Sequence, residues 1–120
     1  MAVSVVDLDA LEWLGVPDSW AGKAQDGEPG VRYKAFSTSS SAVPAGQLVE
    51  YEQGHLERPH SHAENEVLYL LSGHLTIGEA VLGPGSVVVI DGGTVYGPLE
   101  TKDGCRFLRL SLGPLPLHGS

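Results

Sequence analysis

Apolar and polar positions alternate with a period of two along most of the chain, and Gly- or Pro-rich punctuation breaks the alternation into short segments. A period of two places successive side chains on opposite faces of an extended chain, which is the signature of half-buried strands. Strands are expected over Val31 to Phe36, Gln47 to Glu52, Pro59 to His62, Glu66 to Ser72, His74 to Ile77 and Cys105 to Leu112. Val87 to Ile90 is an apolar run suited to a buried strand. Ser37 to Ser41 reads as a polar loop, and Gly54, Gly73, Gly78, Gly83-Pro84-Gly85 and Asp91-Gly92-Gly93 read as turns. Thr94 to Pro98 leads outward from the last of these. Only residues 7 to 14 have a helical period: Leu8, Leu11 and Leu14 form one stripe, Asp7 or Asp9 caps it, and Gly15 with Pro17 stops it. Many short strands with Gly-rich turns predict an all-β sandwich or barrel with a short N-terminal helix or arm.

The expected organisation is an arm over residues 1–30, one β-barrel over 31–112 and a tail over 113–120. Trp20 is expected to anchor the arm to the body, and His118 in the tail is assigned no role. A length of 120 residues suits one domain with one core. At 42% hydrophobic and 18% charged residues, the composition is that of an ordinary globular protein. No apolar run is long enough to span a bilayer, and Met1 to Asp7 lacks the basic and apolar regions of a signal peptide, so a cytoplasmic protein is expected. The single Cys105 has no internal disulfide partner and is expected to be a small core residue. A net charge of −8 with scattered basic residues argues against nucleic acid and against anionic membranes.

Candidate chemistry concentrates in Gly54-His55-Leu56-Glu57-Arg58-Pro59-His60-Ser61-His62-Ala63-Glu64-Asn65-Glu66. On a strand, His60 and His62 share a face. A turn over Ala63 to Asn65 would bring Glu66 back toward them. Two imidazoles and a carboxylate are a donor set for one divalent transition metal: iron, manganese, nickel, cobalt or zinc. His55, in the loop after Gly54, is expected to be exposed, and His74 is expected on a strand surface. Tyr51 is a weaker pocket candidate. Arg106 and Arg109 fall on opposite faces of the last strand. One of them could turn inward toward Glu66, Glu100 or an anionic substrate, but a solvent-facing arginine is the default. Glu64 is expected to be solvated. No nucleophile elbow or phosphate-binding glycine loop is present.

The frame Gly54, His60, His62, Glu66, Gly73 resembles the first motif of the cupins. A second cupin motif, Gly-x5-Pro-x-Gly-x2-His-x3-Asn, keeps its spacing here as Gly85, Asp91, Gly93, Tyr96 and Glu100, with three of its letters changed. The likeness covers about residues 30 to 112. It implies a double-stranded β-helix, or jelly roll, with a metal in the barrel mouth and pairing into a homodimer. It also implies that His60, His62 and Glu66 bind the metal. Tyr96, in the histidine position, would be a donor to bound water or substrate, a tyrosinate ligand, or a filler of the lost ligand's space. Glu100 would be structural. The implied activity is metal-dependent chemistry on a small organic molecule. A dioxygenase-like oxidoreductase at Fe(II) leads, with Glu66 and Tyr96 serving catalysis. The alternatives are a redox-neutral Zn or Mn isomerase, cyclase or lyase, as in some small bacterial cupins, and a non-catalytic sensor. Gly30 to Lys34 and Gly104-Cys105 resemble cupins fused to bacterial anti-sigma regulators, which carries the sensor reading.

Overall fold

A computed structural model describes residues 3–15, 30–37 and 45–112. The expectations placed on Trp20, on the 38–41 loop and on the tail with His118 lie outside the described residues. A single 3-10 turn, Leu8–Ala10, precedes ten strands. These are β1 (Leu14–Gly15), β2 (Val31–Ser37), β3 (Ala45–Tyr51), β4 (Leu56–Glu57), β5 (Glu66–Gly73), β6 (Leu75–Ile77), β7 (Ala80–Leu82), β8 (Val87–Ile90), β9 (Leu99–Glu100) and β10 (Cys105–Ser111). They form a six-stranded sheet ordered β1-β2-β3-β10-β5-β8 and a four-stranded sheet ordered β4-β9-β6-β7. Every neighbouring pair runs antiparallel. The all-β, two-sheet architecture is the one the alternation predicts.

Alternation explains how the sheets face each other. Along β5, Glu66, Leu68 and Leu70 are buried while Tyr69 and Leu71 are exposed. Along β10, Cys105 and Phe107 point the same way, in register with Tyr51 and Val49 of β3. The smaller sheet answers with Leu75 and Leu99, so one apolar core fills the space between the two layers. Burying a side chain of this size contributes about 1.5–3 kcal/mol. Cys105 lies in this core as expected, and burial pushes its thiol up to about 11.

Three local expectations fail, each for a tertiary reason. The helix over 7–14 shrinks to the Leu8–Ala10 turn, capped by the Asp7 side chain, and Leu11 is already extended. The segment is drawn onto the outer face of the large sheet: Lys34 donates from Nζ to the Leu8 carbonyl at 2.7 Å, and Leu14 pairs with Tyr33. Val87–Ile90 is a strand as expected but only half buried, because β8 is the sheet edge. Val87 and Val89 are 58% and 72% exposed, and Ile90 points inward. Pro59 to His62 forms no strand; it contributes a single bridge between His60 and Tyr96. The very short β4, β7 and β9 carry too few residues for a period to show. The turn glycine of the first motif has a clear cause: Gly73 has φ +75°, and a Cβ there would sit 2.0 Å from the Gly104 carbonyl oxygen.

Candidate functional site

Two loops, 58–65 and 91–98, lie side by side at the mouth of the sandwich, and backbone hydrogen bonds clasp them. His60 and Tyr96 exchange both N–H···O bonds, at 3.0 and 2.9 Å. The Gly93 amide donates to the His62 carbonyl at 2.7 Å, and the Gly92 amide donates to Asn65 Oδ1 at 2.8 Å. The approach is close enough that a Cβ on Gly92 would lie 2.2 Å from the Ala63 carbonyl oxygen. The spacing of both motifs is therefore a register: it sets the imidazoles of one loop against the phenol of the other.

Glu66 opens β5 and points inward, opposite Ile90, with only 1% of its surface exposed. Tyr96 donates its hydroxyl to Glu66 Oε1 at 3.0 Å. Arg109 donates from Nε to Glu66 Oε2, in register with Leu68 of β5. The inward arginine is thus Arg109, against the solvent-facing default, while Arg106 faces outward and pairs with Glu50. A buried carboxylate needs a compensating charge, and Arg109 supplies it. His62 Nε2 lies 4.0 Å from Glu66 Oε1. The His60 ring centroid lies 4.9 Å from that of His62 and 4.8 Å from that of Tyr96. All four expected site residues, His60, His62, Glu66 and Tyr96, thus meet at one mouth. Burial, then the neighbouring Glu66 charge and the bond to it, push the Tyr96 hydroxyl well above its ordinary value, so here it is a neutral donor.

A second carboxylate, missed in the sequence, faces His60 and the neighbouring His55. Glu57 of β4 accepts the Tyr51 hydroxyl on Oε2 at 3.1 Å, and the same oxygen lies 3.7 Å from His60 Nε2. Glu57 Oε1 lies 3.8 Å from His55 Nε2. His55 is not exposed as expected: it is buried, its ring tilted against that of Tyr51 at 4.5 Å between centroids, and its Nε2 has no hydrogen-bond partner. Its backbone is fixed by bonds to Glu52 and Thr101, which pull the 52–56 turn against the small sheet. Burial alone would raise the Glu57 carboxyl, but His55, His60 and the Tyr51 hydroxyl outweigh it and hold the group below its ordinary range. Burial, with the Glu57 charge, pushes the Tyr51 hydroxyl far up. No sequence signal marked this pair, because β4 is only two residues long.

The remaining candidates stand apart. His74 is on the surface as expected, its side chain 62% exposed and paired with Asp103 at 3.2 Å. Glu100 is exposed on the outer side of β9, and Glu64 is half-buried in its turn.

The donor types suit a first-row divalent cation. His60 Nδ1 lies 2.9 Å from the Arg58 carbonyl oxygen, a bond that requires the proton on Nδ1 and leaves the Nε2 lone pair for a ligand. Glu66 keeps lone pairs beyond those used by Tyr96 and Arg109. Among the described residues, no group of three His, Cys, Asp or Glu side chains is placed to hold an ion as it stands, so the side chains would have to close on one.

No protein-family model matches the sequence, and no curated protein matches it. Solved structures do. An RmlC-like cupin from Shewanella frigidimarina superposes with a TM-score of 0.69 over 99% of this chain and 97% of its own, at 12% identity. An acetylacetone dioxygenase from Acinetobacter johnsonii gives a TM-score of 0.75 over 100% and 83%, at 14% identity. The polyketide cyclase RemF from Streptomyces resistomycificus gives 0.71 over 96% and 83%, at 19% identity. The chain has the cupin fold. No helix among the described residues is long and apolar enough to cross a membrane.

Proposed function

We propose that this chain is a metal-dependent cupin enzyme acting on a small organic molecule, with dioxygenase-like chemistry at Fe(II) as the leading reading. The observation that carries it is the convergence of His60, His62, Glu66 and Tyr96 on one mouth, held there by the paired backbone of residues 60 and 96. The fold likeness to an acetylacetone dioxygenase supports the same chemistry. His60 and His62 would hold the cation through their Nε2 atoms, with Glu66 beside them. A bound Fe(II) would supply open positions for a chelating substrate, such as a diketone or enol, and for dioxygen.

The chain's own groups do the rest. Arg109 pairs with Glu66 and holds its side chain in place. Tyr96 carries a proton 3.0 Å from Glu66, at a place where it can be offered to a substrate oxygen. Ile90 and Leu68 flank Glu66 and keep water from its sides. The Tyr96–Glu66 pair also favours a second reading, redox-neutral proton transfer with Zn or Mn polarising a carbonyl, as a fold likeness to a polyketide cyclase would fit.

The test is elemental analysis of tag-free protein, with oxygen uptake on a β-diketone. Iron near one per chain with oxygen consumption is expected; zinc without uptake selects the second reading. Equal metal content in wild type and in the His60→Ala/His62→Ala double variant would overturn the metal assignment.

A further inference from the structure

We infer that Glu57 is a further ligand of the same metal, occupying the coordination that a motif-two histidine would have supplied and that Tyr96 leaves open. The inference rests on the metal reading above and adds a residue outside both motifs.

Charge is the first argument. The Glu66 carboxylate is neutralised by Arg109, and neutral imidazoles bring no charge, so that set alone offers a dication no net compensation. Glu57 stands between two imidazoles, with Oε1 3.8 Å from His55 Nε2 and Oε2 3.7 Å from His60 Nε2. Its carboxylate faces His60 and His55, and a dication entering a partly desolvated site requires such a charge.

Distance is the second. Two donors each about 2.1 Å from one ion, at a wide angle, stand roughly 3–4.2 Å apart. His60 Nε2 and Glu57 Oε2 are 3.7 Å apart, and His62 Nε2 and Glu66 Oε1 are 4.0 Å apart. Each gap is too long for a hydrogen bond and is one that a cation between its two donors would span, and the His60 and His62 rings that link the two pairs stand 4.9 Å apart.

The third argument is the unsatisfied atom. His55 Nε2 is buried, has no partner, and points at Glu57 Oε1 from 3.8 Å. Buried polar atoms in native proteins are almost always paired. A small turn of the Glu57 carboxylate toward His55 would close that gap, while Tyr51 restrains Oε2. His55 and Tyr51 are then positioning residues that orient the ligand, the usual arrangement around metal-binding carboxylates.

The experiment measures Co(II) binding to the full chain, by competition with a chromophoric chelator and by the visible spectrum of the bound ion. Wild type, Glu57→Gln, Glu57→Asp and His62→Ala are compared. Glu57→Gln keeps the size of the side chain and its contact with Tyr51. It is expected to weaken Co(II) at least about 10-fold and to change the ligand-field bands, which a purely structural role would leave alone. If Glu57→Gln fails to fold, Glu57→Asp decides: it keeps the charge and shortens the reach, and a weakened, spectrally altered site is again expected. Wild-type affinity and spectrum in the folded Glu57 variant, alongside lost binding in His62→Ala, would overturn this inference and leave the metal reading standing. A wild type that binds no Co(II), or a His62→Ala variant that binds it undiminished, would overturn both.

Discussion

The large sheet carries one carboxylate with two donors on each of its faces, and the two arrangements behave differently. On the outer face, Glu50 accepts from Arg32 at 2.6 Å and from Arg106 at 2.7 Å. Trp13 lies over this pair of guanidinium groups and over Lys34, at 4.1, 5.2 and 4.8 Å respectively. Both arginines are more than two-fifths exposed. On the inner face, Glu66 is 1% exposed and takes its bonds from Arg109 and Tyr96. Water shares the outer charges and screens them, so that cluster fastens the N-terminal segment to the sheet. Burial shields the inner carboxylate from bulk solvent, so its partners become obligatory, and the arrangement fixes one side chain at the mouth.

The largest expected break in this comparison is Arg109→Ala. Removing one partner of a buried pair strands a charge, and such losses run to about 3–5 kcal/mol. Urea unfolding should show a loss of that order; a loss under about 1 kcal/mol would mean that Glu66 is not buried as an ion. Acid acts next, on the outer cluster. The Arg32 hydrogen bond, with help from Arg106, holds the Glu50 carboxyl below its ordinary 4.5. A group lowered in the folded state stabilises fully above its unfolded value and loses that contribution as pH falls through the folded one. Thermal midpoints should therefore be level above about pH 5 and drop below about pH 4.5, with a shallower drop in Glu50→Gln; parallel acid limbs would deny Glu50 this role. The smallest effect is that of salt. At neutral pH, Glu50→Gln should lower the midpoint by much less than Arg109→Ala. That difference should fade in about 1 M NaCl, where the screening length is about 3 Å, while the Arg109→Ala loss persists. Salt sensitivity of equal size in both variants would erase the distinction between the faces.

Much of this was legible in the chain. Long strands such as β5 and β10 show their period over seven or eight residues, and the core positions Leu68, Leu70 and Phe107 follow from it. His60, His62, Glu66 and Tyr96 were legible through motif spacing, because the spacing encodes the clasp between two loops. His55 and Glu57 were not, since a two-residue strand has no period, and their facing is set by pairing with β9, far away in sequence. Parity separated Arg106 from Arg109 but could not say which one turns inward; a register shift opposite Arg106 and Phe107 interrupts the pairing there. The expected helix at 7–14 yielded to contacts with Lys34 and the β2 backbone, which no local pattern records.

The mutual backbone bonds between residues 60 and 96 have a consequence for variation. The clasp at position 96 is made by main-chain bonds, so the side chain there has no part in joining the two loops. A phenol, an imidazole or an amide placed there would project from the same mount, and each would change what is offered to Glu66 while the joint between the loops stays as it is.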